Sequence, residues 1–399
     1  MYILAGGSGI PNFGDELIAL NWLNFIRSRD PDTEILLDCK NQAASEAVVG
    51  SLAGVSHVSY LRRMSQSGKD LDFWGNVKRG YDFIRKGGFR RNPGAGSFAE
   101  AVKKARIFHI FGGGYINERW PSSGFLLGFA ASLHDLYGAR IATTGLGLMP
   151  LSPPETWSEI GAFNRILSRF DIVDVRDAQS WKAISSAPGT RANNGLDDSF
   201  LAPAIGKADD GKRTLHIVIS FGEGNAAKLS GVVAQTCEVL RPQFDQALFW
   251  RCAPGKDDLA LQAFRQACPD VEVAEVRDLV HGPLPIGPRD AMVTTRFHPH
   301  LLAARIGIPG YYFVDSEYYR VKHSSVVSLG SGFLPFTEEE PPTRFVRTGE
   351  EMVVRDADRV AAKRKVANRI YAPDAPAPLR REGHPAVAAE EPPGTGAQR

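Results

Sequence analysis

The sequence predicts a two-domain α/β protein built on mainly parallel sheets. Short apolar runs alternate with longer amphipathic segments, the pattern of repeated strand–helix–strand units. A polar, glycine-containing stretch, residues 202–212, interrupts this alternation, and the same alternation of apolar runs and amphipathic segments follows it. The chain has 399 residues, of which 43% are hydrophobic, so it has enough apolar surface for two cores. We therefore expect similar domains at 1–201 and 213–349, joined by a linker and facing each other across a cleft.

The apolar runs and amphipathic segments place the elements as follows. In the first half, the predicted strands are Tyr2–Ala5, Glu34–Leu37, Arg106–Phe111, Arg140–Thr144 and Ile172–Val175. Its predicted helices are Glu16–Arg27 and Gly124–Tyr137. In the second half, the predicted strands are Leu215–Ser220, Gln246–Arg251, Val271–Val276, Ala291–Thr295 and Gly310–Val314. Its predicted helices are Ala226–Leu240, Asp257–Ala267 and His300–Arg305.

The end of the sequence differs from the rest. Residues 350–370 predict a charged helix that packs back on the body of the protein. Residues 371–399 contain six prolines and seven alanines with almost no large apolar side chains. Such a segment buries too little surface to offset its ordering entropy, so we expect a disordered tail there.

Charge and cysteine content exclude several classes of protein. The chain has 47 Lys and Arg against 45 Asp and Glu, which argues against a nucleic-acid binder. Its four cysteines are widely spaced and form no CxxC pair, so neither a zinc site nor a disulfide scaffold is expected. We find no apolar stretch long enough for a transmembrane segment and no secretory signal. These features predict a cytoplasmic protein, and they leave its oligomeric state open.

Glycine-rich turns follow two strands of the first half. The turn after Tyr2–Ala5 has the geometry that presents backbone N–H groups to an anion, but its spacing matches neither the dinucleotide fingerprint nor the P-loop. Asn12 and Asp15 in this turn are candidate ligand contacts, although Asp15 also suits the start of a helix. Gly112-Gly113-Gly114 permits the close approach of a ligand, with a simple tight turn as the alternative.

Cationic side chains follow strands in both halves. Arg176 follows Ile172–Val175, and Arg296 and His298 follow Ala291–Thr295. The carboxyl ends of parallel strands face the binding crevice, where an arginine fork suits a carboxylate or phosphate. A histidine there suits proton transfer near neutral pH. Lys322 follows the next strand and adds a cation, unless it lies in a solvated loop. The alternative for Arg176 is an ion pair with a nearby acid, namely Asp177, Asp197 or Asp198.

Residues 61–91 form a basic segment with interspersed aromatic side chains. The segment has nine Lys or Arg against three Asp. Among its aromatic residues are Trp74, Tyr81, Phe83 and Phe89. One interpretation is a surface for an anionic acceptor or an anionic membrane. The other is a solvated insertion whose aromatics join the core of the first domain.

Taken in order, these motifs resemble the polysaccharide pyruvyl transferase family. The matching pieces, spread over residues 1–330, are Asn12-Phe13-Gly14-Asp15-Glu16, Gly112-Gly113-Gly114, Thr144-Gly145-Leu146-Gly147, Val175-Arg176-Asp177 with Ser180, Asp198, Arg296-Phe297-His298 running into Gly307-Ile308-Pro309, and Lys322. Two features depart from the family pattern. Pro299 stands where a small residue commonly follows the histidine, and residues 61–91 are not a family hallmark.

The resemblance implies a GT-B-like fold, with two Rossmann-like domains that bind acceptor on the N-terminal side and donor on the C-terminal side. It implies transfer of the pyruvyl group of phosphoenolpyruvate to two hydroxyls of a sugar in a cell-surface polysaccharide or glycolipid precursor. A cyclic ketal forms, phosphate is released, and neither a cofactor nor a metal is expected. His298 and Asp15 are then the catalytic residues. The residues expected to bind substrate are Arg296, Arg176, Lys322, Asn12, Gly113 and Gly114.

Two other functions fit the same sequence. One is a GT-B glycosyltransferase that uses a nucleotide sugar, since the expected fold is the same and cations also hold a diphosphate. The other is a non-catalytic protein that binds acidic glycans through residues 61–91. The sequence does not determine the acceptor sugar, its hydroxyls, or whether the acceptor is lipid-linked at the inner membrane face.

Overall fold

The computed structural model describes residues 1–372, except for 69, 153–154, 186, 222–225, 315 and 338–340. The strands are β1 (Tyr2–Ala5), β2 (Ile35–Asp38), β3 (Val55–Val58), β4 (Ile107–Ile110), β5 (Arg140–Leu146), β6 (Ile172–Val175), β7 (Ala192–Asn194), β8 (Thr214–Val218), β9 (Gln246–Arg251), β10 (Glu272–Glu275), β11 (Ala291–Thr294), β12 (Gly310–Tyr312) and β13 (Leu334–Pro335). The α-helices are α1 (Phe13–Arg27), α2 (Gln42–Val49), α3 (Tyr60–Gln66), α4 (Phe73–Arg85), α5 (Gly96–Lys104), α6 (Gly124–Tyr137), α7 (Trp157–Leu167), α8 (Ala178–Ser185), α9 (Ala226–Ala234), α10 (Asp258–Ala267), α11 (Val276–His281), α12 (Phe297–Ile306), α13 (Glu317–Val327), α14 (Glu351–Val354) and α15 (Asp356–Ile370).

Two parallel sheets organise the described part of the chain. The first has seven strands in the order β3-β2-β1-β4-β5-β6-β7, and the second has six in the order β10-β9-β8-β11-β12-β13. Counted from its own first strand, each sheet has the order 3-2-1-4-5-6 of a Rossmann fold, and the first sheet adds a seventh strand at its edge. The predicted class is confirmed: the protein is α/β and GT-B-like, with two Rossmann-like halves. In each half, strand order reverses between the first and fourth strands, where such sheets bind ligands.

The sequence did not predict the edge strands β3, β7 and β13. β3 has a single fully buried residue, β7 is three residues long, and β13 is two residues long and contains a proline. Each therefore lacks the apolar run or the clear alternation that identifies a strand. Helix α12 begins at Phe297 rather than at His300, so Arg296 takes the N-cap position and His298 lies in the first turn.

The two halves pack through an apolar contact that involves α1. Phe13 and Trp22 on this helix are fully buried in a cluster that includes residues of α11 and α12. The Phe13 ring meets Trp250 of β9 edge to face, with centroids 5.7 Å apart. The Phe13 backbone N–H also donates to the Cys252 carbonyl across 2.9 Å. The segment that follows β1 is therefore part of the junction between the halves.

The C-terminal helix α15 packs back on the first half, as the charge pattern suggested. Lys363 on this helix is buried and pairs with Asp174 at 2.7 Å and with Asp198 at 2.6 Å. Tyr371, which we had assigned to the disordered tail, is instead buried, and its hydroxyl lies 2.9 Å from His109 Nδ1. Burying the large Tyr371 ring in an apolar cluster stabilises the folded chain. The small alanine and proline side chains that dominate the rest of this segment provide much less apolar surface to bury. Residues 373–399 lie outside the described part.

The basic segment 61–91 contributes α3 and α4. Trp74, Tyr81, Phe83 and Phe89 pack against the apolar core of the first half, and Phe73 of the same segment is buried in it. This packing confirms the interpretation of these aromatics as core residues. Two cations of the segment form surface ion pairs, Arg85 with Asp135 at 3.2 Å and Lys86 with Asp82 at 2.8 Å. Within the described residues, no helix combines the length and the apolar composition that crossing a bilayer requires.

Candidate active site

A cavity of about 400 Å³ lies between the two halves, at the carboxyl ends of their strands. The first half contributes the segments after β1, β2, β4 and β6 and part of α3. The second half contributes the segments after β8, β9 and β11 and part of α13. Seven of the eight residues that the sequence identified as site candidates line this cavity: Asn12, Asp15, Gly114, Arg176, Arg296, His298 and Lys322.

Asn12 and Asp15 come together at the start of α1. Asn12 Nδ2 donates to Asp15 Oδ2 across 2.7 Å. Asn12 is at the N-cap position but makes no side-chain capping bond, so its amide serves the carboxylate rather than the helix. Among the described residues that line the cavity, Asp15 is the single carboxylate.

Of the three consecutive glycines after β4, only Gly114 lines the cavity, and its carbonyl accepts a hydrogen bond from the Tyr318 hydroxyl at 3.1 Å. Gly113 does not line the cavity; it extends the sheet by a bridge to Leu146 of β5. Its φ of +125° lies in a region that favours glycine. Gly113 therefore shapes the turn, and Gly114 faces the cavity.

His298 of the second half packs directly against Gly14 of the first half. A Cβ at Gly14 would lie 1.7 Å from His298 Nδ1, so a larger residue there excludes the imidazole. His298 itself is in the first turn of α12 and is mostly buried. The glycine of the segment after β1 therefore makes room for a side chain from the other half.

His298, Asp197 and Arg176 form a buried charged group beside the cavity. Arg176 Nη1 donates to Asp197 Oδ2 across 3.0 Å, and His298 Nε2 lies 3.5 Å from the same oxygen. Burial raises the pKa of the Asp197 carboxyl, but His298, Arg176 and the Ser199 N–H outweigh burial and lower it well below its ordinary range. Asp197 is therefore ionised, and it holds a negative charge against the imidazole.

Arg296 is held by a carboxylate of its own half. Its Nη2 donates to Oδ1 of Asp257, a fully buried residue that also accepts from the Ala253 N–H at 2.7 Å. Burial lowers the pKa of Arg296, but Asp257 and Cys252 outweigh burial and raise it above its ordinary value. Arg296 is therefore a fixed, permanently charged donor in the cavity wall.

Lys322 lies on α13, not in a solvated loop. Its Nζ is 4.0 Å from the centre of the Tyr318 ring. Burial lowers the pKa of this ammonium group to about 7, and Arg176 acts in the same direction. Since Asp15 and Asp197 act the other way without restoring the ordinary value, Lys322 changes its charge near neutral pH.

Four further cations that the sequence motifs do not predict as site residues line the cavity: Lys40, Arg62, Arg119 and Lys256. Lys40 follows β2, Arg119 follows β4 and Lys256 follows β9, so all three occupy positions that parallel sheets present to a ligand. A search for cations that follow predicted strands could therefore have identified these three residues from the sequence. Arg62 begins the basic segment and was named only as part of it.

Two of the matching motif residues have structural roles. Asp198 is buried and accepts hydrogen bonds from the Trp22 indole, the Thr144 hydroxyl and the Gly112 N–H. Ser180 accepts from the Leu148 N–H at 2.8 Å and so holds the loop after β5.

Pro299 lies in the first turn of α12, where backbone N–H groups have no partner within the helix, so proline costs little there.

A larger cavity, about 870 Å³, lies between the edge of the first sheet, α13 and α15. Arg176 lines both cavities. The other candidate site residues of the sequence do not line this second cavity. We therefore place the chemistry in the smaller one.

The fold and the smaller cavity together define a class: two-domain α/β proteins with a cationic site at the cleft between Rossmann-like halves. The family model described as polysaccharide pyruvyl transferase matches residues 12–248. This match covers more than half of the chain, and the protein belongs to the polysaccharide pyruvyl transferase family. It is accordingly a transferase.

Solved structures with similar folds have low sequence identity to this chain. UDP-GlcNAc 2-epimerase from Neisseria meningitidis bound to UDP-GlcNAc is 7% identical, with a TM-score of 0.46 over 93% of this chain and 94% of that one. S. aureus MnaA in complex with UDP is 9% identical, with a TM-score of 0.47 over 93% and 90%. Spinosyn rhamnosyltransferase SpnG is 12% identical, with a TM-score of 0.44 over 93% and 96%. No curated protein sequence matches this chain.

Proposed function

We propose that this protein transfers the pyruvyl group of phosphoenolpyruvate to two hydroxyls of a sugar in a glycan, with formation of a cyclic ketal and release of phosphate. The observation that carries the proposal is the charge of the interdomain cavity. Seven lysine and arginine residues line it, against one carboxylate among the described lining residues. Phosphoenolpyruvate carries a carboxylate and a phosphate, and both groups need cationic partners.

Three of the cations suit the donor. Arg296 is fixed by Asp257 and Arg176 by Asp197, and the Arg176 guanidinium also stacks on the Phe297 ring at 4.3 Å. Guanidinium groups held in this way offer paired N–H donors to a carboxylate or a phosphate. Lys322 adds an ammonium group, which stabilises a phosphate as a point charge.

His298 suits the proton transfers to and from the donor. The methylene carbon of phosphoenolpyruvate must gain a proton to become a methyl group, and positive character then develops at C2. A sugar hydroxyl attacks C2, and the bond between C2 and the phosphate oxygen breaks. An imidazolium beside ionised Asp197 is a positioned acid for this protonation, since the carboxylate stabilises the charged ring.

Asp15 suits the acceptor. The carboxylate faces the cavity from the half opposite His298 and is oriented by the Asn12 amide. A carboxylate there accepts the proton of an attacking hydroxyl or orients that hydroxyl. The two hydroxyls lose two protons in total; one ends on the methyl group and the other on the released phosphate. Atoms and charge therefore balance without an oxidant or reductant.

The test begins with binding of the donor. We expect phosphoenolpyruvate to raise the melting temperature of the protein, and UDP- and GDP-sugars to leave it unchanged. Stabilisation by a nucleotide sugar but not by phosphoenolpyruvate would favour a glycosyltransferase instead.

The acceptor is tested by mass spectrometry of glycans from cells with and without the protein. We expect loss of the pyruvyl mass increment in cells that lack it. Cells carrying the His298→Ala variant provide the control, because the protein is present but its proposed acid is missing. Identical glycans in all three samples would contradict pyruvyl transfer.

A further inference from the structure

The cavity holds more positive charge than the proposed donor requires. Arg176 and Arg296 each pair with a carboxylate, and with Lys322 they suffice for one carboxylate and one phosphate. Three other lining cations lie near one another: Lys40, Arg62 and Lys256. We call these three residues the second cationic group.

The second cationic group lacks an ion-pair partner among the described residues. No acid there lies at ion-pair distance from Lys40, Arg62 or Lys256, whereas Arg176 and Arg296 each have one. Asp15 is close enough to act on the charge of Lys40 but forms no ion pair with it. The three come from both halves, since Lys40 and Arg62 belong to the first half and Lys256 to the second. Like charges that converge across a cleft repel each other unless an anion lies between them.

Lys40 shows that the three charges act on one another. Burial lowers the pKa of its ammonium group, and Arg62 and Lys256 act in the same direction. Asp15, which has the strongest charge effect on Lys40, and Glu16 raise this pKa without restoring its ordinary value.

Lys40 and Arg62 also line a smaller cavity that adjoins the site on the first half, together with Tyr115, Ser123 and Asp38. The Asp38 carboxylate is buried and accepts from the Tyr60 and Leu61 N–H groups, so it is used within its own half. Lys40 and Arg62 therefore border space in both cavities.

We infer that Lys40, Arg62 and Lys256 form a second anion site, which binds a negatively charged group of the acceptor while the donor occupies the first. This inference rests on the proposed function, and it specifies an acidic acceptor. Two sources offer the required chemistry: a phosphate that links the glycan to its carrier, and the carboxylate of an acidic sugar. Either source places the acceptor hydroxyls next to Asp15.

The experiment measures whether two anions bind at once. Full-length protein is saturated with phosphoenolpyruvate and titrated with inorganic pyrophosphate by calorimetry. We expect pyrophosphate to bind this complex, and Arg62→Ala and Lys256→Ala each to weaken that binding by about tenfold or more. Lys256 is exposed, so its replacement leaves the fold intact, and retained phosphoenolpyruvate binding verifies this for each variant.

Arg63→Ala is the matched control. Arg63 is the next residue on α3, is exposed, and does not line the cavity; its guanidinium instead lies over the Tyr60 ring at 5.1 Å. The charge change equals that of Arg62→Ala, but we expect pyrophosphate binding to stay unchanged. Equal weakening by Arg63→Ala and Arg62→Ala would show a general effect of net charge and would overturn the second site.

Competition then separates the two sources. Displacement of pyrophosphate by glucose 1-phosphate supports a phosphate-linked acceptor, and displacement by glucuronate supports an acidic sugar. Displacement by neither overturns the inference, as does the absence of pyrophosphate binding to the phosphoenolpyruvate complex. A protein that fails to bind phosphoenolpyruvate in the first place contradicts the proposed function instead, so the two failures are distinguishable.

Discussion

Asp197 and Asp198 are neighbours in the chain but belong to two different buried charged groups. Asp197 meets Arg176 and His298 beside the cavity. Asp198 points into the first half, where it pairs with Lys363 and accepts from the Trp22 indole. Burial and charge are alike at the two positions, so neither property alone separates a reactive group from a structural one.

The two groups differ in how completely their polar atoms are used. Asp198 Oδ2 accepts three hydrogen bonds of 2.7 to 2.9 Å, and Asp198 Oδ1 forms an ion pair at 2.6 Å with Lys363 Nζ. The same ammonium group donates to Asp174 and to the Leu196 carbonyl. His298 Nε2, by contrast, has no hydrogen-bond partner within the described residues, and its nearest acid oxygen is 3.5 Å away. A buried polar atom that lacks a close partner costs free energy unless a ligand or a reaction uses it. The incomplete hydrogen bonding of His298 beside a cavity therefore supports its proposed role in the reaction.

The largest expected effect is on turnover, from His298→Ala. We expect phosphate release from phosphoenolpyruvate with acceptor to fall by about 10²–10⁴-fold, the usual contribution of a general acid or base. The melting temperature should stay near that of the parent, because Asp197 keeps Arg176 as its partner. Full activity in this variant would remove His298 from the reaction.

Lys363→Met tests the structural group and should act on stability rather than on chemistry. The change leaves Asp174 and Asp198 buried without their cation, which costs about 3–5 kcal/mol. Urea unfolding measures the loss. Lys365→Met is the control, since this lysine is two residues further along α15 and exposed. Equal stability of the two variants would contradict the structural role.

This comparison also shows what the sequence predicts and what it does not. Arg296 and His298 were predicted because a buried strand, a cation and a helix start follow one another within a few residues. The same reasoning applies to Arg176. The positions of strands and glycine-rich turns therefore predicted the central strands of both sheets and seven of the residues that line the cavity, but not the edge strands or the four further lining cations.

The remaining contacts depend on long-range packing. Lys363 meets Asp174 because α15 returns to the first half, and the two residues are 189 positions apart. Likewise, Asp197 meets His298 only where the halves face each other. No local pattern distinguishes such pairs, because periodicity reports which face of an element is buried but not which partner covers it.

Removal of the donor-binding guanidinium groups should have the next largest effect. We expect Arg176→Ala and Arg296→Ala to raise the donor KM by the equivalent of about 1.5–3 kcal/mol each. Arg296→Lys should restore only part of the affinity, because lysine keeps the charge but loses the fork. Initial rates against phosphoenolpyruvate concentration give these values, and an unchanged donor KM in both alanine variants would contradict the role.

Lys322 predicts a pH dependence of donor binding. Its pKa is lowered to about 7, so the ammonium group loses its proton as pH rises through neutrality. The donor KM should therefore rise above pH 7, approaching tenfold per pH unit. A phosphate, whose second pKa is about 6, is already mostly dianionic at pH 7, so its titration does not account for weaker binding above neutrality.

Lys322→Arg separates the lysine from other titrating groups. Arginine stays charged throughout this range, so the donor KM of the variant should be flat between pH 7 and pH 8.5. A profile as steep as that of the parent would assign the dependence to another group.

The smallest effect is expected from the outer part of the basic segment. Reversing Arg85, Lys86, Arg90 and Arg91 to Glu removes the pairs with Asp135 and Asp82, which are exposed or partly exposed and worth at most about 1 kcal/mol each. None of the four residues lines the cavity, in contrast to Arg62 of the same segment. We therefore expect a small decrease in melting temperature, with donor KM and acceptor turnover unchanged at both low and high salt. The opposite outcome has two parts: the variant loses acceptor turnover or vesicle binding but still binds donor, and the same activity of the parent protein weakens as salt rises. That result would make this surface the contact for an anionic acceptor or membrane.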